Sequence, residues 1–324
     1  MDWFFGVIFW LSIFLIIYVY AGFPLLVVLF ARLRKYEVRK EAIEPKVSLV
    51  IAAWNEERSI AKKLDNALTL DYPKEKLEII VASDGSDDNT ANIVERYRAE
   101  GVVLLDLTRR GKIFALNDAV ANATGEVIVF SDANSMYAPE AISMLVRNFA
   151  DESIGGVCGN QVYLKKQKGF DSTSQGESLY WNFDKWVKQK ESESGSIVSA
   201  DGAIYAIRRS LYLPPASAAV TDDFAISTGV VEQGYRLVFE SEAIAFEEPM
   251  AAATKEFSRK VRIMNRGLRG VILRKRLLNP FQYGFYSVEL FSHKVLRRLV
   301  PFFLLTAFIS NILLSSLATP FLIS

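Results

Sequence analysis

The chain has 324 residues, 51% of them hydrophobic, and a formal net charge of +1. A charge so near zero gives no reason to expect a nucleic-acid partner. One cysteine, Cys158, excludes an internal disulfide, and a single histidine, His293, argues against a histidine-clustered metal site or a Ser-His-Asp hydrolase.

In chain order, the first feature is an uncharged run from Trp3 to Ala31. Roughly 20 apolar residues span a bilayer core, so residues 1–31 are expected to form a transmembrane helix. A cleaved signal would want a basic start, and this chain opens Met1-Asp2. Gly22 and Pro24 are expected to kink this helix at most. The flank that follows holds Arg32, Arg34, Lys35, Arg39 and Lys40, which the positive-inside rule puts in the cytoplasm.

The middle of the chain alternates strand and helix patterns. Short β-branched runs at 46–53, 77–83 and 125–131, with a shorter one at 102–105, read as strands buried on both faces. Helical periodicity falls at 59–68, where Ile60, Leu64, Ala67 and Leu68 share a face, and at 90–100 and 112–123. Such alternation predicts an α/β domain with a mostly parallel sheet. Ligands of such sheets bind beyond the carboxyl ends of the strands.

Polar clusters stand at those ends. Trp54, Asn55, Glu56 and Glu57 follow the first run, Asp84 to Asp88 the second, and Asp132 and Asn134 the fourth. Residues i and i+2 at a strand end can offer oxygens to one hard cation. Thr221-Asp222-Asp223 adds a carboxylate pair, in which mutual repulsion can raise one pKa into the range of a general base. Taken singly, each cluster also fits an ordinary capped turn.

Residues 255–298 are crowded with Lys and Arg, and Phe257, Val261, Met264, Leu268, Val271 and Ile272 recur at helical spacing. This segment is expected to lie as a basic amphipathic helix at an anionic membrane surface. A second uncharged run, 299–323, predicts another transmembrane helix, again with a cytoplasmic basic flank at His293, Lys294, Arg297 and Arg298. Both flanks place residues 32–298 on one side.

Six segments, 50–57, 82–88, 111–117, 130–135, 202–208 and 221–223, together resemble the family 2 glycosyltransferases, the group of the cellulose, chitin and hyaluronan synthases. The likeness covers residues 46–270 and implies a GT-A nucleotide-diphospho-sugar transferase fold over 46–254. It implies a donor wall of Ala53, Asn55, Glu57 and Asp84, with Lys112 and Asp132 also on the nucleotide-sugar. Asp132 and Asn134 occupy the DxD position that holds Mg2+ or Mn2+. Asp222 and Asp223 are the implied catalytic carboxylates, Asp223 the base, and Asp201 and Gly202 fall at the acceptor.

The sequence departs from the family pattern at two points. Asn134 replaces the second Asp of DxD, and the QxxRW motif of processive synthases is absent; Arg259 to Ile263 stands in its place, with Arg262 the candidate for the diphosphate. Trp181 and Trp186 are expected mainly in the core.

The expectation is therefore an inverting transferase at the cytoplasmic face of a bacterial plasma membrane. It would be multi-pass and use a nucleotide-sugar, a UDP-sugar by expectation. The acceptor would be a growing polysaccharide or a lipid-linked glycan, with membrane lipids and membrane subunits as partners and no nucleic acid. The rival is a non-catalytic nucleotide-sugar sensor or scaffold on the same fold.

Overall fold

The computed structural model describes residues 2–164, 172–248 and 253–318. Eight strands form one sheet: β1 (Val47–Ala53), β2 (Leu77–Asp84), β3 (Val102–Leu107), β4 (Val127–Asp132), β5 (Met136–Tyr137), β6 (Ile154–Tyr163), β7 (Ile204–Arg208) and β8 (Arg236–Glu247). Their order is β3-β2-β1-β4-β7-β6-β8-β5.

Seven helices matter below. They are α1 (Trp3–Arg34), α2 (Ile60–Leu68), α3 (Lys112–Asn122), α4 (Ser172–Ser194), α5 (Asp222–Glu232), α6 (Ala253–Leu273) and α7 (Phe285–Ser315).

All seven residues of β1 are buried, because helices cover both faces of the sheet. Alternation along the strand divides it between two cores. Leu49 and Ile51 pack with Ile60, Leu64 and Ala67 of α2, while Val50 and Ala52 pack with Ala115, Leu116 and Ala119 of α3. Each such buried aliphatic side chain contributes about 1.5–3 kcal/mol relative to exposure.

The parallel half of the sheet, β3-β2-β1-β4, follows the expected pattern. The other half is mixed: β7 runs antiparallel to β4 and β6, and β5 antiparallel to β8. β6 pairs parallel with β8, so the sheet is mixed, with four of its seven pairings parallel as expected and three antiparallel. The β6 segment escaped the periodicity because Gly155, Gly156 and Gly159 interrupt it. Gly159 is required there: a Cβ would stand 2.7 Å from the Ala243 carbonyl oxygen.

α1 and α7 are long and apolar enough to cross a membrane by length and composition, with mean hydropathies of 2.6 and 1.7. α1 passes Gly22 and Pro24 unbroken, through a π-helical turn at Tyr18–Gly22. The two helices pack together through Ser12–Thr306 and Tyr18–Ser292 hydroxyl pairs, each 2.9 Å, and a stacked Phe30–Phe285 pair at 3.7 Å. α7 begins at Phe285, well before the apolar run at 299, because its polar residues Glu289 and His293 find buried partners. Residues 319–323 of that run lie outside the described residues, as do the side chains of Lys255, Phe257, Arg259 and Lys260.

α6 ends at Leu273, and a short 3-10 turn, Lys275–Leu278, precedes Asn279. Its Val261, Ile263 and Met264 are exposed, whereas Val271 is buried against the sheet's second core. Trp186 is 43% exposed, so it is not a core residue.

Truncating Leu49 to Ala is expected to cost roughly 2–5 kcal/mol and lower the melting temperature by about 5 °C or more. Thermal denaturation of the full chain followed by circular dichroism checks this.

Candidate active site

The sheet order places the site. From β1 the chain crosses to β2 on one side and later to β4 on the other, which opens a crevice at the carboxyl ends. In register, Ala53 faces Ser83 and Ala52 faces Asp132. The antiparallel β7 then begins where β4 ends, with Ile204 opposite Ser131. Gly202, just ahead of β7, is thereby delivered to Asp132.

One wall of the crevice is the pair of loops after β1 and β2. Asn55, in the left-handed region at φ 56°, exchanges bonds with the loop: its Nδ2 donates to Asp87 Oδ1 at 2.5 Å and its Oδ1 accepts from the Asp87 N–H at 3.0 Å. Asn tolerates that conformation better than most residues. The Glu57 N–H donates to Asp88 Oδ2 at 3.1 Å, and Glu57 Oε2 accepts from the Asn89 N–H at 3.3 Å. Ala53 is buried at the end of β1 and has no side chain to project, so it bounds the wall with its backbone.

Asp84 is buried, and its carboxylate is already engaged. Oδ1 accepts from the Arg110 N–H at 2.8 Å and the Gly111 N–H at 3.0 Å, and Oδ2 pairs with Arg109. The guanidinium of Arg109 also stacks over the exposed Trp54 ring at 3.8 Å. Asp84 therefore organises the loop that starts α3. Gly85 permits this closeness: its φ is +63°, and a Cβ there would be 2.6 Å from the Arg109 nitrogen.

That loop ends in Lys112, the centre of the site. Lys112 Nζ lies 2.6 Å from Asp132 Oδ1 and 2.8 Å from Asp222 Oδ2. Burial works against its charge, but Asp132 and then Asp222 outweigh it, so its pKa is raised. On the far side, a Cβ built on Gly202 would lie 3.6 Å from Asp132 Oδ2 and 3.9 Å from Asp223 Cβ. Gly202, Asp132 and Asp223 thus border one gap.

Asp223 opens α5, where its Oδ1 accepts from the Phe224 N–H at 2.7 Å. Burial and the charge of Asp222 raise its pKa to about 6, against the opposing pull of the Thr221 hydrogen bond, the Phe224 N–H and Lys112. Tyr205 on β7 is buried, stacks on Phe130 at 4.7 Å, and carries a hydroxyl without a hydrogen-bond partner among the described residues.

Two expected site residues stand apart from this group. Asp201 pairs with the buried Lys188 of α4. Arg262 is exposed on α6 and makes no hydrogen bond or ion pair among the described residues. Asn134 is exposed beside Asp132.

Arg109, Lys63, Lys188 and Tyr205 were not anticipated. Lys63 is fully buried, with Nζ 2.5 Å from the Ser135 carbonyl oxygen and 3.8 Å from the Tyr137 ring centre. Burial lowers its pKa to about 7. It props the turn after Asp132 from behind. Only the Arg109-Arg110-Gly111-Lys112 run carried any signal of this kind.

The donor set suits a divalent cation shared with a substrate. Asp132 is one-third exposed and its Oδ2 faces the gap; Asn134 supplies a neutral oxygen. Among the described residues no group of three His, Cys, Asp or Glu side chains could hold a metal. Cations of the Mg2+ kind take one or two protein carboxylates and complete their shell with phosphate and water.

Residues 48–213, over half the chain, match the family model "Glycosyl transferase family 2". The protein belongs to that family. Among curated relatives it is similar to beta-monoglucosyldiacylglycerol synthase of Trichormus variabilis, 31% identical over 206 residues, 62% of this chain and 44% of that protein. It is also similar to poly-beta-1,6-N-acetyl-D-glucosamine synthase of Staphylococcus aureus, 26% identical over 219 residues, 66% of this chain and 52% of that one. The chain spans about half the length of the curated relatives it matches.

Among solved structures it is similar to mannosyltransferase PcManGT from Pyrobaculum calidifontis in complex with GDP-Man and Mn2+. The TM-score is 0.74 at 24% identity, over 95% of this chain and 87% of that one. Staphylococcus aureus TarS 1-349 in complex with UDP-GlcNAc gives a TM-score of 0.55 at 16% identity, over 79% and 73%. At these identities the likeness establishes the GT-A fold.

Lys112→Met would remove the one cation that lowers the Asp223 pKa, so that carboxyl is expected to ionise above pH 6. A difference infrared titration of the protonated carboxyl band checks the direction; a midpoint unchanged or lower contradicts it.

Proposed function

We propose that this protein transfers a hexosyl group, with inversion, from a nucleotide-sugar to a glycan or lipid-linked acceptor at the cytoplasmic face of a membrane. The observation that carries this reading is the gap beside Gly202, which Asp132 and Asp223 border together, with Lys112 bridging Asp132 to Asp222. A nucleotide-side carboxylate and a carboxylate whose pKa is raised to about 6 thus face one space.

The chemistry follows from what the residues can do. The loops of Asn55, Glu57 and Asp87 form the wall for the nucleoside, and Trp54 with Arg109 offers a flat cationic stack at its rim. Lys112 balances charge on the diphosphate side. Asp132 and Asn134 would hold Mg2+ or Mn2+, which when bound supplies charge stabilisation to the departing diphosphate. Asp223, ionised above about pH 6, accepts the proton of the acceptor hydroxyl. The acceptor oxygen bonds to the anomeric carbon as the bond from that carbon to the diphosphate oxygen breaks, and the nucleoside diphosphate leaves. One such displacement inverts the anomeric centre; a carboxylate nucleophile is not needed.

GDP-Man in one structural neighbour and UDP-GlcNAc in another leave both bases open for the donor, with UDP the expectation from sequence. The membrane placement rests on α1 and α7 and on the basic flanks beside them. The order of segments follows: an N-terminal span, the transferase domain, the basic interfacial stretch of α6, and a second span. The exposed Val261, Ile263, Met264, Ile272, Leu273 and Phe281 in that stretch support an interfacial seat.

The test is nucleotide release from membranes holding the full chain, offered UDP- and GDP-sugars with Mn2+, Mg2+ or chelator. One donor is expected to release nucleotide, and Asp223→Asn to lower the rate by roughly 10²–10⁴-fold, the usual scale of general-base catalysis. For the intact protein the rate should fall about tenfold per pH unit below 6, because the protonated carboxyl cannot act as base. Nucleotide binding without release from any donor would favour a sensor instead.

A further inference from the structure

α4, α6 and α7 meet beside Asp201, and their basic residues gather there. Lys188, 7% exposed, pairs with Asp201 and sits 3.6 Å from Asp184. Asp184 also takes Arg297 at 2.9 Å and His293 at 3.5 Å, while His293 Nδ1 lies 2.7 Å from Glu191. These groups satisfy one another.

Two lysines in the same place do not share in this. Lys185 lies one turn before Lys188 on α4, and Lys294 lies on α7 within electrostatic reach of Lys188, Arg298, Asp201 and Asp184. Neither ammonium has a hydrogen-bonded or ion-paired partner among the described residues, although the Lys294 carbonyl oxygen accepts from Arg298 at 3.1 Å. Both are partly exposed. Burial, and then the like charge of Lys188, lower the pKa of Lys185. The Arg298 guanidinium closes the far side, packed so tightly on α6 that a Cβ at Gly267 would overlap it. A cluster with surplus positive charge, half out of water, favours a multiply charged anion.

The surroundings narrow the anion. Asp201 precedes Gly202, which borders the gap of Asp132 and Asp223, so the cluster stands on the acceptor side. On α6, Val261, Ile263 and Met264 are exposed one to two turns from Gly267. α7 turns apolar just beyond Arg298. Phosphate recognition beside exposed aliphatic side chains suits an amphiphile.

On the strength of the transferase reading above, we infer that Lys185, Lys188, Lys294 and Arg298 form a pocket for the phosphate group of a lipid acceptor. Sugar transfer would then occur to a hydroxyl or phosphate oxygen carried by that lipid headgroup, held beside Asp223.

The probe is short-chain dihexanoyl phosphatidic acid, titrated into the full chain in detergent and read by tryptophan fluorescence. Trp186, 43% exposed, and Trp181, one turn before Lys185 on α4, are the reporters. Saturable binding is expected, with dihexanoyl phosphatidylcholine and inorganic phosphate each at least about tenfold weaker. Lys185→Ala with Lys294→Ala should weaken phosphatidic acid about tenfold or more, the scale of one lost charge-assisted hydrogen bond. Lys185→Arg with Lys294→Arg should keep it within about threefold, since a cation is retained. If the double alanine variant fails to fold, the single Lys185→Glu change on the partly exposed side of α4 replaces it, with the same expected loss.

Equal affinity in the wild-type chain and the alanine variant would overturn the pocket. Phosphatidylcholine binding as tightly as phosphatidic acid would show apolar contact alone, and inorganic phosphate binding as tightly would show a free-phosphate site; either overturns the lipid assignment. Donor release is measured on the same wild-type preparation. Phosphatidic acid binding that depends on the lysines, with no release from any donor, would uphold the phosphate site and remove the transferase reading. Release without such binding would do the reverse.

Discussion

Three carboxylates, Asp132, Asp222 and Asp223, crowd one gap, and a single ammonium holds two of them apart. Everything about the crevice serves to put Lys112 there. Its position depends on the sharp entry to α3, which depends on the backbone N–H groups of Arg110 and Gly111 being pinned to Asp84. Asp84 can do this only because it is buried at the end of β2 beside Gly85, where the Arg109 backbone approaches too closely for any side chain. The chain of dependence runs from a glycine to a carboxylate, to a loop, to a lysine. Asp223 stands outside the Lys112 bridge, and burial and then the neighbouring Asp222 charge make its own charge costly.

A second polar assembly lies behind Asp201, and it obeys different rules. Asp184, Lys188, Glu191, Glu289 and His293 are all buried, and they tie α4 to the membrane-type helix α7. Buried ion pairs of this kind bring little net stability, yet breaking one partner is costly. They do fix register. In the structure they hold α4 and α7 in the alignment that sets where Lys188 reaches Asp201. The acid cluster of Asp132, Asp222 and Asp223 is thus held by the sheet, while the Asp201 side is held by the helices that carry the apolar spans.

The parallel strands and the polar ends of β1, β2 and β4 were legible in the sequence because each is local. A β-branched run closes on Asp, Asn or Glu within a few residues, and the sheet order then brings those ends together. The mixed half of the sheet was not legible. Gly155, Gly156 and Gly159 break the apolar pattern of β6, although those glycines are what let its neighbours close in. The roles of charged residues were readable only where a motif named them. Asp84 was expected against the nucleoside, and the partners of its carboxylate, Arg109 and the Arg110 N–H, come from a loop that no motif linked to it. Lys63 and Lys188 look like ordinary surface lysines in α2 and α4, and only tertiary packing shows them buried. Likewise His293 read as part of a basic flank, while its real neighbours, Asp184 and Glu191, are about a hundred residues away in the chain.

Charge counting also bears on Asn134, the departure from the usual pair of acids. The gap already holds three carboxylates against one lysine, with Lys63 pressed behind the same turn, its pKa lowered by burial to about 7 so that it is only about half charged at pH 7. A fourth carboxylate at 134 would add repulsion that nothing nearby offsets when the donor is absent. It would also push Asp223 further toward its protonated form, away from the base it is proposed to be. A neutral amide oxygen keeps a ligand for a hard cation without that added charge. On this view Asn134 follows from the closeness of Asp222 and Asp223 to Asp132 in the same gap. If the proposed roles of Asp132, Asn134 and Asp223 hold, it gives up some cation affinity in favour of a base that stays ionised at neutral pH.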